Sequence, residues 1–281
     1  MNWRSLAAAL ALLLLSGCSA VQFGYRNADT FMRWQANSYF DFEGAQSEEL
    51  DTRIAALLAW HRANALPQYT KLLDEAAVRT ARRLARDDLV WGYDSARAHV
   101  RESVRAAAAE MAPLLDRLPA EKLAHLEQRF AEANRKFARE HLAGTPEDRR
   151  KRRLKRNIER LEDWLGRLSD AQTERVRQYT NAAPLTEEMR DRDRRRRQSE
   201  FVAMLRAKQA SAKLSDWGEN WERERAPAYA AASRAQLAAY FDMLLDLDKS
   251  MSSAQREHAV ERLRSYAADF RALVRDGGAP K

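Results

Sequence analysis

The one thiol of the chain is the side chain with the most specific chemistry. Cys18 is the only cysteine among 281 residues. The chain can therefore form no disulfide within itself and no metal site that needs two thiolates. This cysteine needs a different explanation, and the residues before it supply one.

The residues that precede Cys18 have the regions of an export signal. Arg4 gives the N-terminus a positive charge, and an apolar run follows from Leu6 to Leu15. That run is about half the length needed to cross a bilayer, and it ends in the small residues Ser16 and Gly17. We therefore predict a cleaved signal peptide and not a permanent membrane span.

The tetrapeptide Leu15-Ser16-Gly17-Cys18 resembles the lipobox of bacterial lipoproteins. The resemblance implies removal of residues 1–17, a diacylglyceryl thioether on Cys18, and an acyl group such as palmitate on the new amine. Such chains, buried in a bilayer, hold a protein on the membrane. Ser19 follows where an Asp would resemble the inner-membrane retention signal of enteric bacteria, so we expect the periplasmic face of the outer membrane. The alternative is a soluble exported protein whose signal happens to end near a cysteine.

The histidines and glycines form no recognisable catalytic motif. The histidines are His61, His99, His125, His141 and His258. None lies four residues from another and no His-Glu-x-x-His occurs, so no zinc site is encoded on one helix, although distant helices could assemble one. Glycine-rich phosphate loops and Gly-x-Ser-x-Gly are also absent from the sequence. We predict no catalytic residue, no metal and no cofactor.

Two basic clusters could bind anionic groups. They consist of Arg149, Arg150, Lys151, Arg152 and Arg153, and of Arg194, Arg195, Arg196 and Arg197. In the cytoplasm such clusters would suggest nucleic acid, but export removes that partner. Two interpretations remain: helix faces neutralised by acidic residues of neighbouring helices, or contact with anionic lipid headgroups or an acidic envelope protein.

The composition predicts an all-α protein. The net charge is +8, hydrophobic residues make up 45%, and only 9 Gly and 7 Pro occur. Because Gly and Pro break helices and build hairpins, their scarcity favours long helices. No second apolar run approaches the length of a membrane span. We predict an elongated, mainly antiparallel multi-helix bundle behind the lipoprotein signal peptide.

Hydrophobic periodicity and helix caps place the elements. The predicted helices cover residues 48–66, 67–88, a segment from a turn at Trp91-Gly92 to about 117, 121–142, 146–165, 169–182, 185–212, 215–247 and 252–275. Gly144, Thr145 and Pro146 predict one helix end and the next start, and Pro227 predicts a kink. The predicted organisation is a lipidated tether and aromatic-rich segment at 18–40, a helical domain at 41–275 and a disordered tail at 276–281.

The aromatic residues leave two uses open. Core packing is the first prediction for the N-terminal set Phe23, Tyr25, Phe31, Trp34, Tyr39 and Phe40, and a lipid-proximal helix is the alternative. Core packing is also the first prediction for Trp60, Trp91, Trp164, Trp217 and Trp221. A groove that grips unfolded or lipidated clients is the alternative for this second set.

Four helix starts share a pattern of an apolar residue followed four residues later by Gln or Lys. These begin at Phe42, Leu118, Leu168 and Met251. Ser169 with Gln172, and Ser252 with Gln255, can form capping boxes. The segment from Leu168 to Gln172 resembles the Leu-Thr-x-x-Gln motif of small periplasmic helical stress proteins, with Ser in place of Thr. Four ordinary helix starts are the simpler interpretation.

A broader resemblance covers most of the chain after Cys18. The segments Tyr39 to Phe42, Leu57 to Arg62 and Leu66 to Tyr69, with Trp217 and Trp221, look like the proteobacterial lipoproteins of the DUF6279 family. That family has no assigned activity, so the resemblance implies class and location but no mechanism.

Two hypotheses about function follow. The first is a membrane-anchored envelope lipoprotein with a non-enzymatic binding or structural role, chaperone-like or related to assembly. The second is an enzyme acting on envelope material, with a site assembled from scattered His, Asp and Glu. The second predicts a buried cluster of carboxylates or imidazoles in a concave pocket.

Overall fold

The structure, a computed structural model, describes residues 20–276. The predicted signal peptide, the predicted lipidation site Cys18 and residues 277–281 of the predicted tail lie outside the described residues. Within the described range every regular element is a helix, which confirms the predicted all-α multi-helix class. No helix in this range is long and apolar enough to span a membrane.

The helices follow one another through short connections. They are α1 (Ala20–Arg26), α2 (Ala28–Phe40), α3 (Ala45–Trp60), α4 (Leu66–Thr80), α5 (Arg86–Leu115), α6 (Ala120–Phe137), α7 (Pro146–Leu165), α8 (Asp170–Ala182), α9 (Glu187–Arg206), α10 (Ala210–Glu219), α11 (Pro227–Ser250) and α12 (Ser253–Asp276). Two π-helical segments, His61–Ala65 and Ala138–Leu142, continue α3 and α6. The first of them joins α3 directly to α4, and Pro67 is the second residue of α4.

The start of α7 confirms the prediction from local signals. Gly144 adopts φ of 83°, a left-handed conformation that glycine tolerates. The Thr145 hydroxyl then accepts a hydrogen bond from the Asp148 amide at 3.2 Å, and the Asp148 carboxylate accepts from the Thr145 amide at 3.1 Å. Pro146 occupies the first helical position. Each signal is local, and each produces the predicted turn and cap.

Two of the predicted capping boxes form and lie against each other. Ser169 accepts from the amide of Gln172 at 3.2 Å, and Ser252 accepts from the amide of Gln255 at 3.1 Å. The two glutamine side chains then exchange hydrogen bonds, with N–O distances of 3.0 and 2.9 Å. Gln172 is almost fully buried. The starts of α8 and α12 are therefore joined by a reciprocal amide pair.

The other two predicted helix starts also meet. Phe42 and Leu118 are buried in the same hydrophobic core. The Lys122 ammonium lies 2.9 Å from the Asp41 carboxylate and 3.4 Å from that of Glu43. The four similar helix starts thus form two pairs in space.

The break between α4 and α5 lies earlier than predicted. Trp91 and Gly92 are inside α5, and the chain turns before it instead. The Asp88 carboxylate accepts from the Ala85 amide at 2.8 Å and caps α5, while the Asp248 carboxylate of α11 accepts from the Leu84 amide at 3.1 Å. Because Asp248 is distant in sequence, local periodicity could not place this turn.

The predicted helices at 185–212 and 215–247 are wrong in their boundaries. The first ends at Arg206, and Lys208 then adopts a left-handed φ of 53°. The Asp116 carboxylate accepts from the Ala210 amide at 2.6 Å, so the end of α5 caps the start of α10. Pro227 begins α11 and kinks no helix, because proline suits the first turn.

Two hydrophobic clusters form the core. The larger joins α2, α3, α5, α6, α9 and α10 around fully buried leucines such as Leu50, Leu126 and Leu205. The smaller joins α7, α8 and α11 around Val176 and Met243, both with no exposed surface. Helices α4 and α12 pack closely on each other, with buried alanines in both.

Residues 20–40, which lie in the predicted tether and aromatic-rich segment, form α1 and α2, and both helices pack on later helices. The Gln22 amide donates to the Asp269 carboxylate of α12 at 2.9 Å. Tyr39 and Phe40 pack against the larger core, as predicted for this aromatic set. Phe23, Phe31 and Trp34 do not; their side chains are exposed.

Candidate ligand-binding site

The first predicted basic cluster is largely occupied by contacts within the protein. Arg153 is buried and lies 2.8 Å from the Glu187 carboxylate. Arg149 lies 3.0 Å from the Glu188 carboxylate. The remaining members are partly or fully exposed: Arg150, Lys151 and Arg152. These two pairs agree with the interpretation of a helix face neutralised by a neighbouring helix, and contact of this cluster with anionic headgroups or an acidic partner stays a prediction.

The second predicted cluster is also mostly paired. Arg195 and Arg196 lie 2.7 and 2.8 Å from the carboxylates of Asp191 and Asp193. The guanidinium carbon of Arg194 lies 4.5 Å from the centre of an aromatic ring on α6. The same guanidinium donates a hydrogen bond to an asparagine side chain of that helix. Ion pairs of this kind at three- and four-residue spacing are ordinary features of helix surfaces.

Arg197 differs from its neighbours, because it forms no ion pair among the described residues. Its guanidinium carbon lies 3.9 Å from the centre of the Trp217 ring, and its Nη2 donates to the Trp217 carbonyl oxygen at 3.1 Å. Burial holds the pKa of the Arg197 guanidinium below the usual range of arginine. A half-buried cation without a carboxylate partner can accept an anionic group.

Trp217 is held in place from three sides. Its indole nitrogen donates to the Glu200 carboxylate at 3.0 Å. Its ring stacks on Phe201, with centroids 5.4 Å apart and planes tilted by 21°. The Arg197 guanidinium makes the third contact with the ring. The indole therefore separates a polar surface from an apolar cavity.

The apolar cavity lies inside the larger core and has a volume of about 320 Å³. That volume is at the lower end of the range for small-molecule sites, roughly 300 to 1,000 Å³. Helices α2, α3, α5, α9 and α10 and the turn before α3 supply its walls, which are almost entirely hydrocarbon. Several wall residues, including Phe40, Met111 and Trp217, are only partly buried, so the cavity reaches the surface.

Gly218 lines this cavity where α10 approaches α5. A Cβ atom at this position would lie 2.8 Å from Cγ1 of Val104 on α5, which is closer than carbon atoms approach. The glycine therefore lets α10 pack tightly on α5 next to Trp217. The sequence drew attention to Trp217 but not to Gly218 or Val104, because their contact joins helices that are distant in sequence.

A polar cavity of about 540 Å³ adjoins the apolar one and shares the Trp217 wall. Most of its charges neutralise each other; Arg223, for example, lies 2.9 Å from the Asp216 carboxylate. Arg197 and Lys213 form no ion pair among the described residues. A ligand with an apolar chain and an acidic end would find matching chemistry on the two sides of the indole.

A model of a family of unknown function, DUF6279, matches residues 38–230. The chain belongs to this family. All the cavity residues except Ala36 lie within the matched segment. No curated protein and no solved structure matches the chain.

The five tryptophans for which core packing was the first prediction are all half-buried, and Trp217 packs against the larger core. Four of the five half-buried tryptophans carry an arginine guanidinium within 6 Å of the ring centre: Trp91, Trp164, Trp217 and Trp221. Arginine over an indole face is a favourable cation–π arrangement. Some of the arginines of the DUF6279 protein therefore cover indole rings.

Two of the histidines come together in the structure. The rings of His61 and His99 both contact Tyr69, with centroid distances of 5.6 and 5.8 Å. The Tyr25 hydroxyl lies 3.0 Å from Nδ1 of His61, and burial lowers the pKa of the His61 imidazole. Among residues 20–276 no group of three or more potential ligands could hold a metal ion.

The buried carboxylates are paired with basic or amide side chains. Asp88 and Asp248 accept from arginines, Asp191 from Arg195 and Asp269 from Gln22. Such pairing gives the buried carboxylate oxygens hydrogen-bond partners, which suits a structural role. The hypothesis of an enzyme with a carboxylate cluster in a pocket therefore gains no candidate residues from these four groups.

Proposed function

We propose that this protein is a bacterial envelope lipoprotein that binds an acyl chain in the cavity beside Trp217. In this proposal Cys18 carries the lipid anchor, and the domain faces the periplasm from the outer membrane. The role is non-enzymatic. The observation that carries the binding role is the hydrocarbon-lined cavity of about 320 Å³.

The proposed anchor agrees with the position of the folded domain in the chain. Helix α1, which lies only a few residues after Cys18 in the sequence, is packed on α12. Acylation of Cys18 would therefore hold the domain directly at a membrane and not at the end of a long linker. Because the proposed protein is exported, nucleic acid is not among its proposed partners.

The chemistry of the cavity supports an acyl chain as the ligand. Its walls offer almost no hydrogen-bonding group, so a polar ligand would lose its hydration without compensation. An apolar chain gains free energy in proportion to the area that it buries. Arg197, across the indole, could pair with a carboxylate or phosphate at the end of such a chain.

The anchor is tested in cells of the native host. The wild-type protein and the Cys18→Ala variant are compared by membrane fractionation, and the intact mass of the purified wild-type protein is measured. We expect a diacylglyceryl mass on a chain that begins at Cys18, and release of the variant from the membrane. An unmodified wild-type chain in the soluble fraction would refute the anchor.

The binding site is tested with a fluorescent fatty-acid analogue on the processed protein. Ala107 lines the cavity, and Ala109 lies on the exposed face of the same helix. We expect Ala107→Phe to weaken binding of the analogue by about tenfold or more because it fills the cavity, whereas Ala109→Phe leaves it unchanged. Equal binding to both variants would contradict the proposed site, provided that their circular dichroism spectra match.

A further inference from the structure

The largest exposed apolar side chains of the described residues are concentrated at the beginning of the domain. Phe23, Phe31 and Trp34 are 68%, 61% and 63% exposed. All three lie in α1 and α2, whereas the other exposed large apolar residues are valines on α4 and α5. Clustered exposed aromatics of this kind indicate a contact surface.

The three aromatic residues come from two consecutive helices that are joined at Asn27. At 3.6 residues per turn Phe31 and Trp34 are about 60° apart on the circumference of α2. The Phe31 amide donates to the Asn27 carbonyl at 3.1 Å as the first helical hydrogen bond of α2, and the Asn27 side-chain amide donates to the Phe23 carbonyl at 2.8 Å, which ties the end of α1 to the junction. The exposed residues beside the three aromatic rings on this aromatic face include the uncharged Gly24, Asn27 and Thr30.

The charged residues of the segment lie to one side of this face. Arg33 lies 2.5 Å from the carboxylate of Asp51 and is thus directed toward α3. Arg26 lies 2.7 Å from the carboxylate of Asp276 and is directed toward the end of α12. No charged side chain therefore interrupts the aromatic face. The two arginines beside it form ion pairs with other helices of the domain.

The opposite side of the helix is held by the domain, so the aromatic face cannot turn inward. Gln22 bonds to Asp269, and Met32 and Tyr39 pack on the larger core. Phe31 and Trp34 instead contact each other, with ring centroids 5.9 Å apart. Phe31 and Trp34 are exposed because the opposite side of α2 packs on the domain.

The chain before the described residues indicates what covers this face. Cys18 precedes Phe23 by five residues, a span of at most about 17 Å even in extended conformation. Acyl chains on Cys18 would thus bring Phe23 to the membrane surface. Phe and Trp side chains on one helix face are typical of helices that lie in the bilayer interface.

We infer that α1 and α2 lie flat in the bilayer interface, with Phe23, Phe31 and Trp34 inserted among the lipids. This rests on the lipid anchor of the proposed function and goes beyond it, because it assigns a second membrane contact that orients the domain. The same helix α2 supplies Ala36 and Phe40 to the apolar cavity. The contact therefore places the cavity next to the bilayer from which an acyl chain would enter.

The test uses spin labels on the processed, full-length protein, purified from host membranes and reconstituted into liposomes. Thr30→Cys places a nitroxide on the aromatic face, and Val78→Cys places one at a matched exposed position on α4. Collisions of each label with oxygen, which concentrates in lipid, and with a water-soluble nickel complex are measured. Intact mass reports acylation of Cys18 in the same samples.

We expect the ratio of oxygen to nickel collisions to be severalfold higher at position 30 than at position 78. Phe31→Ser combined with Trp34→Ser should abolish the difference while the protein stays anchored. Equal ratios in acylated protein would overturn the inference and leave the anchor intact, whereas a chain that is not acylated at Cys18 would overturn both. Shielding of position 30 from both reagents would indicate a protein partner or second copy, and would also overturn it.

Discussion

Removing the charge of Asp88 should destabilise the fold in a manner that depends on pH. The carboxylate is 5% exposed and lies 2.7 Å from Arg82 and 3.0 Å from Arg79. It also accepts a hydrogen bond from the Ala85 amide at 2.8 Å. These contacts, first the bonds from Arg82 and Ala85, lower the pKa of the Asp88 carboxyl to about 2.

The magnitude follows from this pKa. In the unfolded chain the pKa of an aspartic acid is about 3.9, and each unit of difference corresponds to about 1.4 kcal/mol. The ionised Asp88 therefore adds about 2 to 3 kcal/mol to the free energy of unfolding at pH 7. Because the folded pKa is the lower one, this contribution is complete above about pH 5 and is lost as the pH falls toward 2.

The assay is urea unfolding of the wild type and of Asp88→Asn at several pH values. We expect the variant to lose about 2 kcal/mol at pH 7 and about half of that at pH 3. Asp87→Asn, an exposed neighbour in the same helix turn, is the control and should lose less than about 1 kcal/mol. A loss at Asp88 that does not change with pH, or equal losses in the two variants, would refute the reasoning.

Three further predictions concern packing and titration. Gln172→Ala should cost about 1 to 3 kcal/mol of unfolding free energy, and its coupling with Gln255→Ala in a double-mutant cycle should reach about 1 kcal/mol; additive effects would argue against the reciprocal pair. Gly218→Ala should cost about 1 to 3 kcal/mol through overpacking on Val104, offset by about 1 kcal/mol of helix propensity; a clear gain in thermal stability would contradict the close approach. Because burial lowers the pKa of His61, the unfolded chain takes up a proton first, so the free energy of unfolding should fall as the pH drops below about 6.5; urea unfolding at pH 7.5 and 5.5 should show a smaller fall in His61→Gln.

The proposed acyl-chain site and the proposed membrane contact would be connected by one helix. The aromatic face would set the orientation of the domain, and α2 would connect that face to the cavity wall at Ala36 and Phe40. Arg197 and Trp217 would close the far side of the site. Each part can be tested separately, because the substitutions that affect one part do not touch the others.

Local features of the sequence were sufficient to predict the helical class and several helix ends. The scarcity of Gly and Pro, the Gly144-Thr145-Pro146 turn and the serine–glutamine capping boxes act within a few residues of one another, so their effects can be deduced from the chain alone. The predicted signal peptide and lipidation of Cys18 depend on a local motif in the same way and remain predictions.

The tertiary structure alone decided the helix boundaries set by distant partners, the use of the charges and the location of the cavity. Asp116 caps α10 at Ala210, and Asp248 fixes the turn before α5, across long stretches of sequence. The sequence left two interpretations open for the basic clusters, and only the packing of the helices shows that most of their arginines pair with carboxylates or aromatic rings. The apolar cavity is lined by residues of distant helices, among them Gly218 of α10 and Val104 of α5, and contacts between distant helices leave no periodic signal in the sequence.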